Sequence, residues 1–323
     1  MKRLFLCLTS ILLALSLCAC GAASPSPSGP EEPVRIGALR GATAIGLVKL
    51  MEDAKTPGSS PDLLFDVVTT DELVPLLARG ELDMAAVPAH LAATLYNNTG
   101  GAFRVVAVNT LGLFYIVETG DTIHSIEDLR GKTVMSTGKG TTPEFTLRHI
   151  LRQNGIDPDT GLTLEFKNEP AEIVAILRQN GGIAMLQQPF VTTAEDNVPE
   201  LREALDLTKE WDKLDSSGTL VIGVFIARTA FLEQTAAVPA ILDGYRRSVD
   251  WVNQNPAEAA PLVEELGIAA ADVAARAIPK CHTVFVEGAE MREMLEGYFA
   301  ALFENAPESV GGALPGPDFY YVP

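Results

Sequence analysis

Cysteine, histidine and tryptophan are scarce in this chain of 323 residues, at four, four and two. Histidines 90, 124, 149 and 282 are scattered and give no metal-ligand spacing, and neither a His-Glu-x-x-His helix nor a Gly-x-Ser-x-Gly elbow occurs. Cys281 and His282 are adjacent, but neighbouring residues rarely face one target, which disfavours a catalytic dyad. Three of the four cysteines fall within the first twenty residues, so Cys281 has no partner for an intramolecular disulfide. Basic charge is also short, with 24 Lys and Arg against 42 Asp and Glu and a formal net charge of −18. That balance argues against nucleic acid or an anionic lipid surface as partner, although local donors can still hold a small anion. Beyond the N-terminus no apolar run is long enough to cross a membrane.

The N-terminus is different. Met1-Lys2-Arg3 precedes an almost unbroken apolar run from Leu4 to Leu17, too short for a comfortable span and suited to a secretory signal. It closes on Leu17-Cys18-Ala19-Cys20-Gly21, which resembles a bacterial lipobox with Cys20 as the acylated residue. Residues 1–19 are therefore expected to be a lipoprotein signal. Residues 20–33, with the Ser/Pro-rich "GAASPSPSGPEEP", are expected to tether the folded part to the extracytoplasmic face of the membrane.

From Val34 the chain alternates strand-like and helix-like stretches: "VRIGAL" (34–39), "TAIGLVKLMEDA" (43–54), "LLFDVVT" (63–69), "DELVPLLARG" (71–80) and "LDMAAVP" (82–88). This alternation predicts an α/β protein with parallel sheets. The pattern restarts at "KTVMSTGKGTTPEFTLRHILRQNG" (132–155), followed by "LTLEFK", "EPAEIVAILRQNGG" and "IAMLQQP". Arg40-Gly41-Ala42-Thr43 aligns with Lys139-Gly140-Thr141-Thr142, and Glu72, Val74 and Leu77 align with Glu172, Val174 and Leu177. Two matches in the same order predict two similar lobes. A long strand at 218–229 and four helices between 238 and 306 complete the chain.

"TGKGTT" (137–142) fails as a phosphate loop, because the first required glycine falls on Thr133 and Lys139 is followed by Gly140 rather than a hydroxyl. The two aligned loops nevertheless lie where a parallel α/β sheet binds ligands, beyond strand ends and at helix N-termini. Arg40, Gly41, Ala42, Thr43, Lys139, Gly140, Thr141 and Thr142 are therefore candidate ligand-binding residues, although Thr43 and Thr142 also read as ordinary caps. Further candidates from other strand ends are Pro88, His90, Asn109, Thr110, Gln187, Gln188 and Phe190. No cofactor and no catalytic residue is expected.

The ordered set "VRIGALRGATAIGLVKLME", "ELDMAAVPAHLAATLYN", "VNTLGLFYIVE", "LRGKTVMSTGKGTTPE", "QPFVTTA" and "FLEQTAAVPAILDGYRRSVDWVNQNPAEAA" resembles the ABC-importer substrate-binding lipoproteins of the nitrate/sulfonate/taurine type and the related thiamine-precursor binders. The resemblance implies a type II periplasmic-binding fold of two Rossmann-like lobes with a ligand cleft between them. Residues 34–113 and 221–323 would form the first lobe and 114–220 the second, with crossovers near 111–118 and 217–224. It further implies a monomer without enzymatic activity that delivers a small anionic or polar solute (sulfonate, nitrate, carboxylate or pyrimidine) to a permease and its ATPase subunits. The chain departs from the pattern at Ile183, which stands opposite Asp83 and suggests a different ligand choice in the second lobe. Two alternatives stay open: an enzyme resembling the pyrimidine synthase of thiamine biosynthesis, whose cysteine-rich iron motif Cys281 alone cannot supply, and a ligand-sensing module without transport.

Overall fold

A computed structural model describes residues 32–59, 61–214, 218–234 and 236–322. The expected signal and the lipobox with Cys20 lie outside the described residues, and no described helix is long and apolar enough to cross a membrane.

The first half of the chain builds one sheet. β1 (Val34–Leu39) leads through two short helices, α1 (Ala42–Ile45) and α2 (Val48–Ala54), to β2 (Leu63–Val68). Helix α3 (Thr70–Ala78), β3 (Met84–Pro88), α4 (Ala89–Thr99) and β4 (Phe103–Leu111) follow. The periodicity of residues 43–54 predicts one helix, yet the structure breaks it at Gly46-Leu47. The Ser248 hydroxyl donates to the Gly46 carbonyl (2.7 Å) and accepts from the Leu50 N–H (3.0 Å), so it stands between two groups that would bond directly in a continuous helix. A side chain at Gly46 would also not fit, since an added Cβ would lie 2.8 Å from Thr283.

The chain then passes directly into a second sheet. β5 (Phe114–Thr119) and β6 (Thr133–Ser136) are followed by α5 (Thr142–Gln153) and β7 (Thr163–Phe166). Next come α6 (Pro170–Asn180), β8 (Ile183–Gln187), α7 (Phe190–Asn197), β9 (Leu201–Asp206) and α8 (Leu207–Asp212). β10 (Val221–Arg228) returns to the first sheet. After it come α9 (Thr229–Gln234), α10 (Val238–Gln254), α11 (Pro256–Glu265), α12 (Ala271–Ala277), the edge strand β11 (Thr283–Val286) and α13 (Gly288–Asn305).

Strand order is β11-β4-β10-β3-β1-β2 in one sheet and β7-β6-β8-β5-β9 in the other. The sheets are mixed, which corrects the parallel expectation. Only β2-β1-β3 and β7-β6-β8 are parallel, whereas β10 and β5, the strands that arrive from the other sheet, pair antiparallel to β3 and β8. β5 follows β4 with no helix between them, and a direct connection allows the reversed direction, whereas β10 arrives after the short helix α8. β9 and β11 escape the sequence reading. "LREALD" carries charges that suit a helix as well as a strand, and β11 has only four residues after the left-handed turn at His282 (φ 44°).

The internal repeat is real but its register moves by one. The N-caps Gly41 and Thr141 are 100 residues apart, as are the N-caps Thr69 and Glu169. Gly41-Ala42-Thr43 therefore corresponds to Thr141-Thr142-Pro143, and Lys139 has no cationic counterpart in the first sheet.

Candidate functional site

Leu39, at the end of β1, opens into the loop Arg40-Gly41, and Ser136, at the end of β6, opens into Thr137–Thr141. The two loops face each other across a cavity of about 250 Å³. Its walls take Leu39, Arg40, Gly41, Ala42, Thr43, Thr70, Pro88, His90 and Leu91 from the first sheet's side, and Thr137, Gly138, Thr141, Thr142, Pro143 and Gln187 from the second. Phe114 and Ile222 complete it, each near the start of a strand that has just crossed between the sheets.

Of the residues singled out in the sequence, Arg40, Gly41, Ala42, Thr43, Pro88, His90, Thr141, Thr142 and Gln187 line this cavity. Asn109 and Thr110 do not. Both are fully buried behind the first loop, where the Asn109 amide donates to the Thr43 carbonyl (3.4 Å) and the Thr110 hydroxyl to Asn109 Oδ1 (3.0 Å). Gln188 is likewise buried, its Oε1 accepting from the Thr192 hydroxyl (2.8 Å), and Phe190 begins α7 outside the lining. Lys139 and Gly140 are exposed and outside it too. Asp83 has a structural role at the opposite end of β3, pairing with Arg228 (2.5 Å) and accepting from the Arg35 N–H (3.0 Å). The Ile183 departure thus falls at the end of the strand remote from the cavity.

Leu39, Thr70, Leu91, Phe114, Thr137, Gly138, Pro143 and Ile222 were missed. Phe114 and Ile222 fall in the segments 111–118 and 217–224 where the resemblance implies crossovers, but an apolar residue there carries no separate ligand signal. Pro143 drops out of the candidate set through the one-residue slip in the repeat, since the corrected register sets it against Thr43, whereas Thr137 and Gly138 precede the aligned segment.

One hydrogen bond crosses the cavity. His90 Nδ1, on α4, lies 2.7 Å from Thr142 Oγ1 at the start of α5, and the imidazole meets Phe145 edge-on with centroids 6.0 Å apart. Although His90 keeps some exposure to the cavity, desolvation by burial pushes its pKa down to about 4, so the ring is neutral at pH 7. Arg40 is the only cation in the lining, and its guanidinium donates to the Val67 carbonyl (3.4 Å). Just ahead of α5 and its N-cap Thr141, the Gly140 N–H donates to Glu144 Oε2 (2.6 Å). Thr141-x-x-Glu144 has the spacing of a capping box, but the box does not form, because both the Thr141 N–H and its hydroxyl donate to the Gly138 carbonyl.

The two sides are also joined away from the cavity. Arg276 on α12 pairs with Asp196 on α7 (2.9 Å), and Lys280 with Glu203 on β9 (2.7 Å). Where the chain first crosses, His282 Nδ1 bonds the Gly112 carbonyl and the Leu111 N–H donates to the His282 carbonyl (3.1 Å).

A roomier hollow of about 410 Å³ lies between α2, β2 and α11, lined by Met51, Leu63, Phe65 and Leu262 among others. Its polar rim is an ion pair, Lys55 with Glu265 (3.1 Å), and no set of polar groups converges on its interior. The inter-sheet cavity, with hydroxyls, an amide and an imidazole converging on one space, has the make-up of a small-molecule site.

Residues 65–221 match a family model described as the periplasmic substrate-binding protein of a phosphonate ABC transporter. No curated protein matches the sequence. Among solved structures, an ABC transporter protein from Parabacteroides distasonis is similar at 24% identity with a TM-score of 0.75, over 90% of this chain and 98% of that one. The periplasmic aliphatic sulphonate binding protein from Escherichia coli is similar at 18% identity and a TM-score of 0.70, over 90% and 92%. The periplasmic nitrate-binding protein from Synechocystis PCC 6803 gives 16% identity and a TM-score of 0.56, over 75% and 68%. These likenesses show the two-lobed, type II periplasmic-binding fold, and the resemblance to sulfonate- and nitrate-type substrate-binding proteins of ABC transporters holds.

Proposed function

We propose that this chain, similar in fold and in its family match to the substrate-binding proteins of ABC transporters, is the extracytoplasmic solute receptor of an importer. It takes one small polar or anionic solute into the cavity between its two lobes and presents it to a membrane permease and its ATPase. The observation that carries this reading is the cavity itself, where corresponding strand-to-helix loops of the two sheets meet over a shared space. Lobes joined by two chain crossings can separate to admit a solute and close on it. In this account His90 and Thr142 are the groups that meet on closure.

The importer reading is preferred to an enzymatic one on chemical grounds. Cys281 is fully buried and its thiol is pushed up to about 12, which leaves no thiolate at neutral pH. Among the described residues no group of three or more His, Cys, Asp or Glu is placed to hold a metal ion. Acylation at Cys20 would keep the receptor at the outer face of the cell membrane, consistent with the low basic charge of a chain that needs no electrostatic attachment.

A thermal-shift screen of small solutes against the purified protein tests the proposal. A solute that raises the melting temperature in a saturable way, with its effect weakened in Thr142→Val, supports it. Saturable binding that Thr142→Val leaves untouched places the site elsewhere and overturns it.

A further inference from the structure

Behind Thr142, on the side away from the cavity, two buried hydroxyls stand unpaired. Tyr298, on α13, is fully buried and its hydroxyl has no hydrogen-bond partner among the described residues. Thr146, one turn along α5 from Thr142, is in the same state. Residues four apart share one face of a helix, and α5 packs on α13. Burial raises the pKa of the Tyr298 hydroxyl, and Thr142 and Thr146 are the groups that pull it down, which places both beside it. A buried hydroxyl left unpaired is costly, and native structures rarely keep one without a reason.

The Tyr298 ring is not free to find another partner. It packs on Trp211 of α8 with centroids 5.8 Å apart, and Trp211 Nε1 donates to the Gly218 carbonyl (2.9 Å) beside the second chain crossing. Gly297 closes on Gly218 from α13, where an added Cβ would lie 3.3 Å from the Gly218 Cα. His149 on α5 is drawn to the backbone of Ala301 on α13. These contacts tie α13 to α5 and α8 next to a crossing, the place that a hinge motion displaces least. His90 instead stands across the cavity on α4. Opening of the lobes therefore takes His90 away from Thr142 and leaves Tyr298 beside it.

In this structure Thr142 serves one of the two. Its Oγ1 is 2.7 Å from His90 Nδ1, and the Tyr298 hydroxyl stays without a bond. A helical threonine has two favoured χ1 positions, which gives the hydroxyl a second place to go. Given the solute-receptor reading above, we infer that Tyr298 is a positioning residue that competes with His90 for the Thr142 hydroxyl. Thr142 bonds Tyr298 when the lobes are open and His90 when they close. Closure then breaks one buried hydrogen bond at Tyr298. Affinity scales with the fraction of molecules in the binding-competent state, so this competition holds it below what the closed cavity alone would give.

The test is Tyr298→Phe, which removes the hydroxyl and keeps the ring on Trp211. It is read by small-angle X-ray scattering of the solute-free protein and by calorimetric titration with methylphosphonate, ethanesulphonate and nitrate. The variant is expected to show a smaller radius of gyration. It should bind whichever probe the parent protein binds about two- to tenfold more tightly, the scale of one net hydrogen bond. The gain should be kept in a Thr142→Ser background, which retains the hydroxyl, and should vanish in Thr142→Val. Ordinary structural support predicts the opposite sign, since the loss of a supporting hydroxyl loosens a site. Equal or weaker binding in Tyr298→Phe overturns the inference, as does a gain that persists beside Thr142→Val. If none of the three probes binds, the scattering decides: a smaller radius supports the competition and an unchanged one overturns it. The receptor reading itself falls only if the broader solute screen is also empty.

Discussion

Gly223→Ala is expected to damage the cleft from behind. Gly223 sits in β10 opposite Pro88 and Thr110, and a Cβ added there would lie 2.4 Å from Asn109 Oδ1, 2.6 Å from Thr43 Cγ2 and 3.1 Å from Thr110 Cβ. Two of these three atoms sit on short, fully buried side chains, so the strain cannot be relieved by swinging a long side chain aside. Overpacking of this kind costs about 1–3 kcal/mol. For a unit of this size that lowers the melting temperature by roughly 2–4 °C per kcal/mol. The way out is to push Thr43 and its loop toward the cavity, which also strains the Asn109–Thr43 hydrogen bond (3.4 Å). Gly37→Ala is the control: its Cβ would meet the Leu82 and Leu73 side-chain ends at 2.6 and 2.7 Å, on the same sheet but outside the cavity lining. Differential scanning fluorimetry with and without a stabilising solute reads both effects. Both variants should melt earlier, and only Gly223→Ala should lose most of the solute-induced shift. An equal solute response in the two variants would refute the link between Asn109, Thr43 and binding.

Three further outcomes follow from individual contacts. Thr142→Val removes the hydroxyl that meets His90 Nδ1, and should cost about 0.5–1.5 kcal/mol in urea denaturation. Glu118 is 2% exposed; burial alone would raise its pKa, but hydrogen bonds from Ile123 and Thr122 and the Arg202 charge hold it below the ordinary carboxylate range. Its contribution to stability is therefore present above the unfolded carboxylate's pKa and is lost as pH falls through the lower folded value, so Glu118→Gln should flatten the acid side of the stability curve below the ordinary carboxylate range. Cys20→Ser should abolish palmitate incorporation and release the protein from the membrane fraction of expressing bacteria.

Much of the fold is legible because its signals are local. Strand-to-helix alternation, glycine stops and the repeat between "LRGAT" and "GKGTT" all survive as elements at or near the expected positions. What was not legible depends on contacts distant in sequence. The break at Gly46 needs Ser248, which arrives some two hundred residues later, and the antiparallel strands need knowledge of which sheet receives β5 and β10. In the site, Gly41, Thr43, Thr141 and Thr142 could be chosen from sequence, while Asn109 and Gln188 looked like ligand contacts because buried polar residues at strand ends resemble lining residues until their partners are seen. The direction in which Thr43 and Thr141 spend their protons, and the capture of Gly140 by Glu144, exist only in three dimensions.

The central claim is that solute binds between the two lobes. Hydrogen–deuterium exchange with and without a stabilising solute tests it most directly, because it reports protection along the whole backbone. The account predicts that protection appears together at residues 40–43, 137–142 and around Gln187, on both walls of the cavity. Protection confined to residues 48–67 and 262–266, around the outer hollow, would contradict it.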